Sequence, residues 1–99
     1  MCSSIGGANV QTVVVTGAGG GLGRAMAHRL LADGYVCVLA GRSVAALKAT
    51  VESAGVGGDR AVVVECDIRS AQDRDRLIDT AAEHGQLFAL VNNAGIARM

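Results

Sequence analysis

Five glycines crowd the seven positions 17–23, where a run of apolar residues gives way to a helical pattern. Residues 12–15, Thr12-Val13-Val14-Val15, read as a buried strand, and residues 24–31 read as an amphipathic helix. A glycine turn between them leaves the helix's first N–H groups without internal partners. An anion can approach such bare backbone closely, and the helix dipole favours its charge there. Glycine costs about 1 kcal/mol for each residue drawn into a helix. So many glycines together therefore argue for a phosphate-binding turn rather than a plain connection.

The spacing narrows the kind of turn. A P-loop needs Lys followed by Ser or Thr after its last glycine, and Gly23 is followed by Arg24-Ala25. The G-x-G-x-x-G fingerprint fails from every starting glycine, because Leu22, Arg24 or Met26 falls where its third small residue belongs. The pattern that fits is Thr16-Gly17-x-x-x-Gly21-x-Gly23.

Composition removes several function classes. The 99 residues carry no formal net charge, 51% are apolar and 18% charged, which describes one small α/β core. No basic cluster appears, and the only aromatics, Tyr35 and Phe88, give no stacking platform, so neither nucleic acid nor an anionic membrane is an expected partner. No apolar run is long enough to span a bilayer. Residues 1–9 lack a signal-peptide pattern and are expected to form a disordered leader to a partial nucleotide-binding domain over 10–99, in the cytoplasm. Cys2, Cys37 and Cys66 are odd in number and far apart, which argues against a disulfide framework or a metal site. Cys37 and Cys66 lie in apolar runs and read as small core residues. His28 and His84 have no ligand partner at useful spacing and are assigned no metal or catalytic role.

Along the chain, Gly34 stops the first helix and residues 35–40 form a second buried strand. Ser43 caps a helix carrying Leu47 and Val51 that ends at Gly55, and 56–60 is a loop. Residues 61–66 form a third strand ending in Asp67. Ser70 caps a third helix with Asp73 at the capping-box position, and its buried face carries Leu77, Ile78 and Ala81. Gly85 stops it, and 87–91 is a fourth strand followed by Asn92-Asn93-Ala94-Gly95. This βαβαβαβ order, with apolar rather than alternating strands, predicts a Rossmann-type, doubly wound parallel sheet of order 3-2-1-4, truncated after its fourth strand. Strands 1 and 4 then flank the switch point where ligands bind in such sheets.

Every informative polar residue falls at the C-terminal end of a strand. An NAD-selective site places a carboxylate after the second strand, to hold the ribose 2′-hydroxyl. That position is Gly41 here, and no Asp or Glu lies between Asp33 and Glu52. Arg42 follows instead, and a guanidinium suits a 2′-phosphate, with Ser43 adding a hydroxyl or an N–H. For a dinucleotide cofactor on this turn, NADP is therefore expected ahead of NAD.

The glycine pattern, Asp67-Ile68 and Asn92-Asn93-Ala94-Gly95, in this order on these elements, resemble the short-chain dehydrogenases/reductases over residues 11–95. The resemblance implies that Gly17, Gly19, Gly20, Gly21, Leu22 and Gly23 lie under the cofactor pyrophosphate. It implies that Asp67 and Ile68 line the adenine pocket and that Asn93, Ala94 and Gly95 close over the adenosine ribose. Thr16 Oγ1 would bond to backbone near Ala94. The implied reaction passes hydride between the nicotinamide and a carbonyl or alcohol carbon.

Complete enzymes of the family run to about 250 residues, with catalytic Asn, Ser and Y-x-x-x-K all after the N-N-A-G motif. Here the only Tyr is Tyr35 and the only Lys is Lys48, so none of the 99 residues is assigned as catalytic. The chain is expected to be the cofactor-binding half of an enzyme, without turnover by itself, with a carbonyl or alcohol substrate entering only in a longer form. The alternatives are a non-catalytic nucleotide-binding module, or a truncated product that associates through its open sheet edge. In either case an exposed apolar fourth strand predicts self-association.

Overall fold

The computed structural model describes residues 11–92. It contains β1 (Gln11–Thr16), α1 (Gly21–Ala32), β2 (Val36–Gly41), α2 (Val44–Glu52), β3 (Ala61–Glu65), α3 (Ala71–His84) and β4 (Gln86–Asn92). One 3-10 turn, Gly58–Arg60, precedes β3 inside the expected loop. All strand pairs are parallel and the order is β3-β2-β1-β4, as the apolar runs and right-handed crossovers predict.

Alternation along the strands divides the core into two layers. Val13, Val15, Cys37 and Leu39 face Ala27 and Leu31 of α1 and Leu47 of α2. Val14, Val38, Ala40 and Val64 face Leu77 and Ala81 of α3, with Cys66 beside them. Each fully buried Leu or Val on these layers is worth roughly 1.5–3 kcal/mol. Burial pushes the Cys37 thiol up to about 11 and raises that of Cys66, so both stay protonated.

Several local expectations are corrected. α1 begins at Gly21, not Arg24, so the last glycines of the run form its first turn. β2 starts at Val36 rather than Tyr35, and β3 ends at Glu65, although Cys66 N–H still donates to Gly41 O at 2.9 Å. Ile78 is 39% exposed, because Leu77 and Ala81, one helical turn apart, already occupy the buried stripe. The capping box at α3 is half made. Ser70 Oγ accepts from Asp73 N–H at 3.2 Å, but Asp73 Oδ2 takes the N–H of Asp67 at 2.9 Å. Ser70 N–H is already committed to Asp67 O at 2.9 Å, so it offers Asp73 nothing to accept.

β4 closes one edge of the sheet and is its least covered strand: Leu87, Phe88 and Leu90 are 41%, 56% and 52% exposed. Its pairing with β1 slips after Thr12, where Leu87 is opposite Thr12 but Ala89 is opposite Val13. The slip leaves Phe88 out of the ladder, and its ring stacks on Tyr35 at 5.5 Å between centroids. His28 Nε2 ties α1 to α2 through Thr50 O at 2.9 Å and Ser53 Oγ at 3.2 Å, a structural role.

Candidate functional site

The strand register decides which residues meet. Thr16 is opposite both Ala40 and Asn92, and Gly41 is opposite Glu65, so all four strands end along one edge. The glycine turn after β1, Arg42 after β2, Asp67 after β3 and Asn92 at the end of β4 therefore share that edge.

The turn itself is pinned from below. Ala18 N–H donates to Ala40 O at 3.2 Å, extending the β1–β2 ladder beyond β1. Ala18 O accepts from the buried Thr50 hydroxyl at 2.7 Å, and Gly19 O accepts from Arg24 Nη2 at 2.8 Å. A Cβ on Gly19 would stand 3.0 Å from Ala46 Cβ, so α2 seats directly on this glycine. Beside Gly20 and Gly21 a Cβ would meet nothing within 4 Å, and Gly21 enters the helix with φ +57. Gly20 is the N-cap of α1 but makes no side-chain cap, and the first turn holds no acid. A bare helix start facing open space fits a diphosphate. Gly23 is buried within that turn and Leu22 stands 59% exposed at its rim.

Arg42 is exposed and forms no hydrogen bond or ion pair with another described residue. Ser43 Oγ accepts from Ala46 N–H at 3.2 Å and so caps α2. Its own proton is still available to donate, so the capping role and a phosphate contact are compatible. An acid at position 41 would also be crowded, because a Cβ there would lie 3.3 Å from Leu47 Cδ2.

Asp67 stands at the same edge, but its carboxylate is already held. Arg69 Nε and Nη2 fork onto Oδ1 and Oδ2 at 3.0 Å each, and Arg69 N–H adds a third bond to Oδ1 at 3.0 Å. These bonds to Arg69 hold the Asp67 carboxyl down at about 2. Oδ2 retains a lone pair for a further donor. Ile68 is half-buried, and its carbonyl accepts from Arg74 Nη1 at 2.7 Å. The Thr16 hydroxyl lies 3.3 Å from Val91 O and 3.2 Å from Asn92 Oδ1, tying β1 to β4 at this edge. Asn93, Ala94 and Gly95 lie outside the described residues.

Sequence reasoning passed over Arg24, Thr50 and Arg69. Asp67-x-Arg69 carried a local signal, since an Asp that bonds the N–H two residues on is a common turn. Arg24 and Thr50 carried none, being ordinary helix residues until α1 and α2 are set side by side. Among the described residues no group of His, Cys, Asp and Glu is placed to hold a metal ion, and no helix is long and apolar enough to cross a membrane.

Residues 11–99 match the family model of the short chain dehydrogenases. The chain belongs to that family. Its short-chain dehydrogenase sequence is 43% identical to an uncharacterized oxidoreductase of Mycobacterium bovis, over 91% of this chain and 36% of that protein. It is 38% identical to a diacetyl reductase, (S)-acetoin forming, of Staphylococcus epidermidis, over 87% of this chain and 34% of that protein. The chain thus spans about a third of the length of these curated relatives. Among solved structures, the apo glucose dehydrogenase of Caenorhabditis elegans superposes with a TM-score of 0.77 at 29% identity, covering 84% of this chain and 37% of that one. An actinorhodin polyketide ketoreductase with NADPH gives 0.77 at 31% identity, covering 86% of this chain and 33% of that one.

Proposed function

We propose that this short-chain dehydrogenase chain is the NADP-preferring, cofactor-binding part of an oxidoreductase acting on a carbonyl or alcohol. The observation that carries the preference is Arg42. It is an exposed guanidinium that makes no hydrogen bond or ion pair with another described residue, next to Gly41, the position where an NAD-selective site would carry an acid. The turn at Gly17, Gly19, Gly20, Gly21, Leu22 and Gly23 would hold the pyrophosphate. Arg42 and Ser43 would hold the 2′-phosphate, and Asp67 and Ile68 would border the adenine. Asn93, Ala94 and Gly95, outside the described residues, would reach the ribose. Bound NADP supplies the hydride chemistry, and these residues bind and orient it. Cys37 and Cys66, buried as free thiols, are in keeping with a cytoplasmic setting. The test is a fluorescence titration of the chain with NADPH and NADH. Binding of NADPH about tenfold or more tighter than NADH is expected, equal affinities would remove the preference, and no binding of either would remove the nucleotide site.

The open β4 edge supports a second expectation, that the chain self-associates. Among the described residues β4 pairs with β1 alone, Leu87, Phe88 and Leu90 expose apolar surface along this edge strand, and zero net charge gives little repulsion between copies. Light scattering at several concentrations should show dimers or larger species, and Leu90→Lys should shift them toward monomer. A monodisperse 10.0 kDa species at every concentration would refute this.

A further inference from the structure

We propose that Arg24 and Thr50 are positioning residues that aim the peptide N–H groups of Gly19 and Gly20 at the bound pyrophosphate, an inference that rests on the nucleotide reading above. A trans peptide is planar. The carbonyl of one residue and the N–H of the next point to opposite sides of the chain. Ala18 O is drawn toward α2 by the Thr50 hydroxyl at 2.7 Å, so the N–H of Gly19 is turned the other way. Gly19 O is drawn toward the Arg24 guanidinium at 2.8 Å, so the N–H of Gly20 is turned away from it. Two successive amides are thereby set toward the open side of the turn, where Gly20 and Gly21 have nothing within 4 Å of a Cβ.

The two side chains act as one relay. Arg24 Nε donates to Thr50 Oγ1 at 2.9 Å, and the single Thr50 O–H donates to Ala18 O at 2.7 Å, the shorter contact, rather than to Ala46 O at 3.3 Å. Thr50 is fully buried, and a buried hydroxyl that both accepts and donates polarises its neighbours along the chain of bonds. Arg24 Nη2 also reaches Ala46 O at 3.3 Å, so the guanidinium fork spans the turn and α2. Lys has no planar fork to span both.

Charge acts in the same direction. Arg24 is half-buried, yet every hydrogen bond it makes goes to a carbonyl or a hydroxyl. The ion pairs among the described residues are Arg29 with Asp33, Arg69 with Asp67 and Arg76 with Asp73, and Arg24 is in none of them. A half-buried cation left without a carboxylate, directly beneath a bare helix start, adds to the potential that draws an anion there.

A tie that merely joined α1 to α2 would not single out the anion, and the experiment uses that difference. Thr50→Val removes the hydroxyl at nearly constant shape, Thr50→Ser restores it, and Arg24→Met keeps an apolar stem without the fork. Each variant is checked for a cooperative melt and titrated with NADPH, NADH and inorganic pyrophosphate. The Gly19 and Gly20 amide signals are followed by NMR in the nucleotide-free chain. In Thr50→Val and Arg24→Met, both glycine amides should shift, and NADPH and pyrophosphate should weaken together by about tenfold or more. The NADPH-to-NADH affinity ratio should stay as in the wild type, and Thr50→Ser should behave like wild type. Unmoved glycine amides would overturn the proposal, as would unchanged pyrophosphate affinity or a Thr50→Ser loss equal to that of Thr50→Val. Wild-type protein that binds none of the three probes would overturn the nucleotide reading instead. The free-chain amides decide the positioning role in either case.

Discussion

Replacing Arg42 by alanine will weaken NADPH binding by about ten- to a hundredfold and leave NADH nearly unchanged. A charged hydrogen-bonded pair is worth roughly 1.5–3 kcal/mol, which spans that range of affinity. The specificity of the effect follows from where Arg42 stands. It makes no hydrogen bond or ion pair within the described residues, so its removal leaves no buried group unsatisfied and the fold should tolerate the change. Asp67 keeps its own partner, Arg69, and loses only the smaller pull of the Arg42 charge. The two nucleotides differ only by the 2′-phosphate, so the ratio of their affinities isolates the contact. Parallel losses for NADPH and NADH would assign Arg42 to the fold rather than to the phosphate.

The largest expected effect on stability lies away from the strands' C-terminal edge, at Gly57. Its φ is +86, and a Cβ there would stand 2.6 Å from Leu31 O and 2.7 Å from Arg60 Nη2. Both atoms belong to the lock on the C-terminal end of α1. Arg60 Nη2 donates to Leu31 O, Arg60 Nε donates to Tyr35 O at 3.3 Å, and Arg60 N–H returns to Gly57 O at 2.9 Å. In Gly57→Ala the left-handed backbone costs roughly 1–2 kcal/mol. The new methyl also forces apart a charged hydrogen bond worth about 1.5–3 kcal/mol. A loss of about 3 kcal/mol is a large share of the roughly 5–15 kcal/mol that holds a small domain together. At about 4–8 °C per kcal/mol, the melting temperature should fall by more than 10 °C. Gly55→Ala is the control, since φ is +70 there but nothing lies within 4 Å of a Cβ. It should show the backbone cost alone. Thermal melts in which the two variants fall together would mean that the α1 lock yields without cost.

The elements and their order were legible because they rest on local pattern. Mostly apolar, non-alternating runs at 12–15, 35–40, 61–66 and 87–91 favour a parallel sheet with helices on its faces, and right-handed crossovers then put β1 between β2 and β4. The glycine turn was equally legible, since Gly19 must admit α2 and Gly21 must take φ +57, and both needs leave a mark on residue type. The candidate site was legible as a set of strand ends for the same reason: parallel strands must finish on one edge.

What stayed hidden depends on how the helices and the edge strand settle on the sheet. Arg24 and Thr50 are 26 residues apart, and only the packing of α1 against α2 brings them to one turn. Nothing in the spacing of Asp73 says that it will reach past its own cap to Asp67 N–H, because that choice follows from Ser70 N–H being already engaged. Nor does the run at 87–91 announce that Phe88 leaves the ladder to stack on Tyr35. Periodicity states which face of an element is buried, and chain order constrains which elements adjoin. The pairing of particular side chains across elements turns on rotations and shifts of a few ångströms, which are decided by the whole packed core at once.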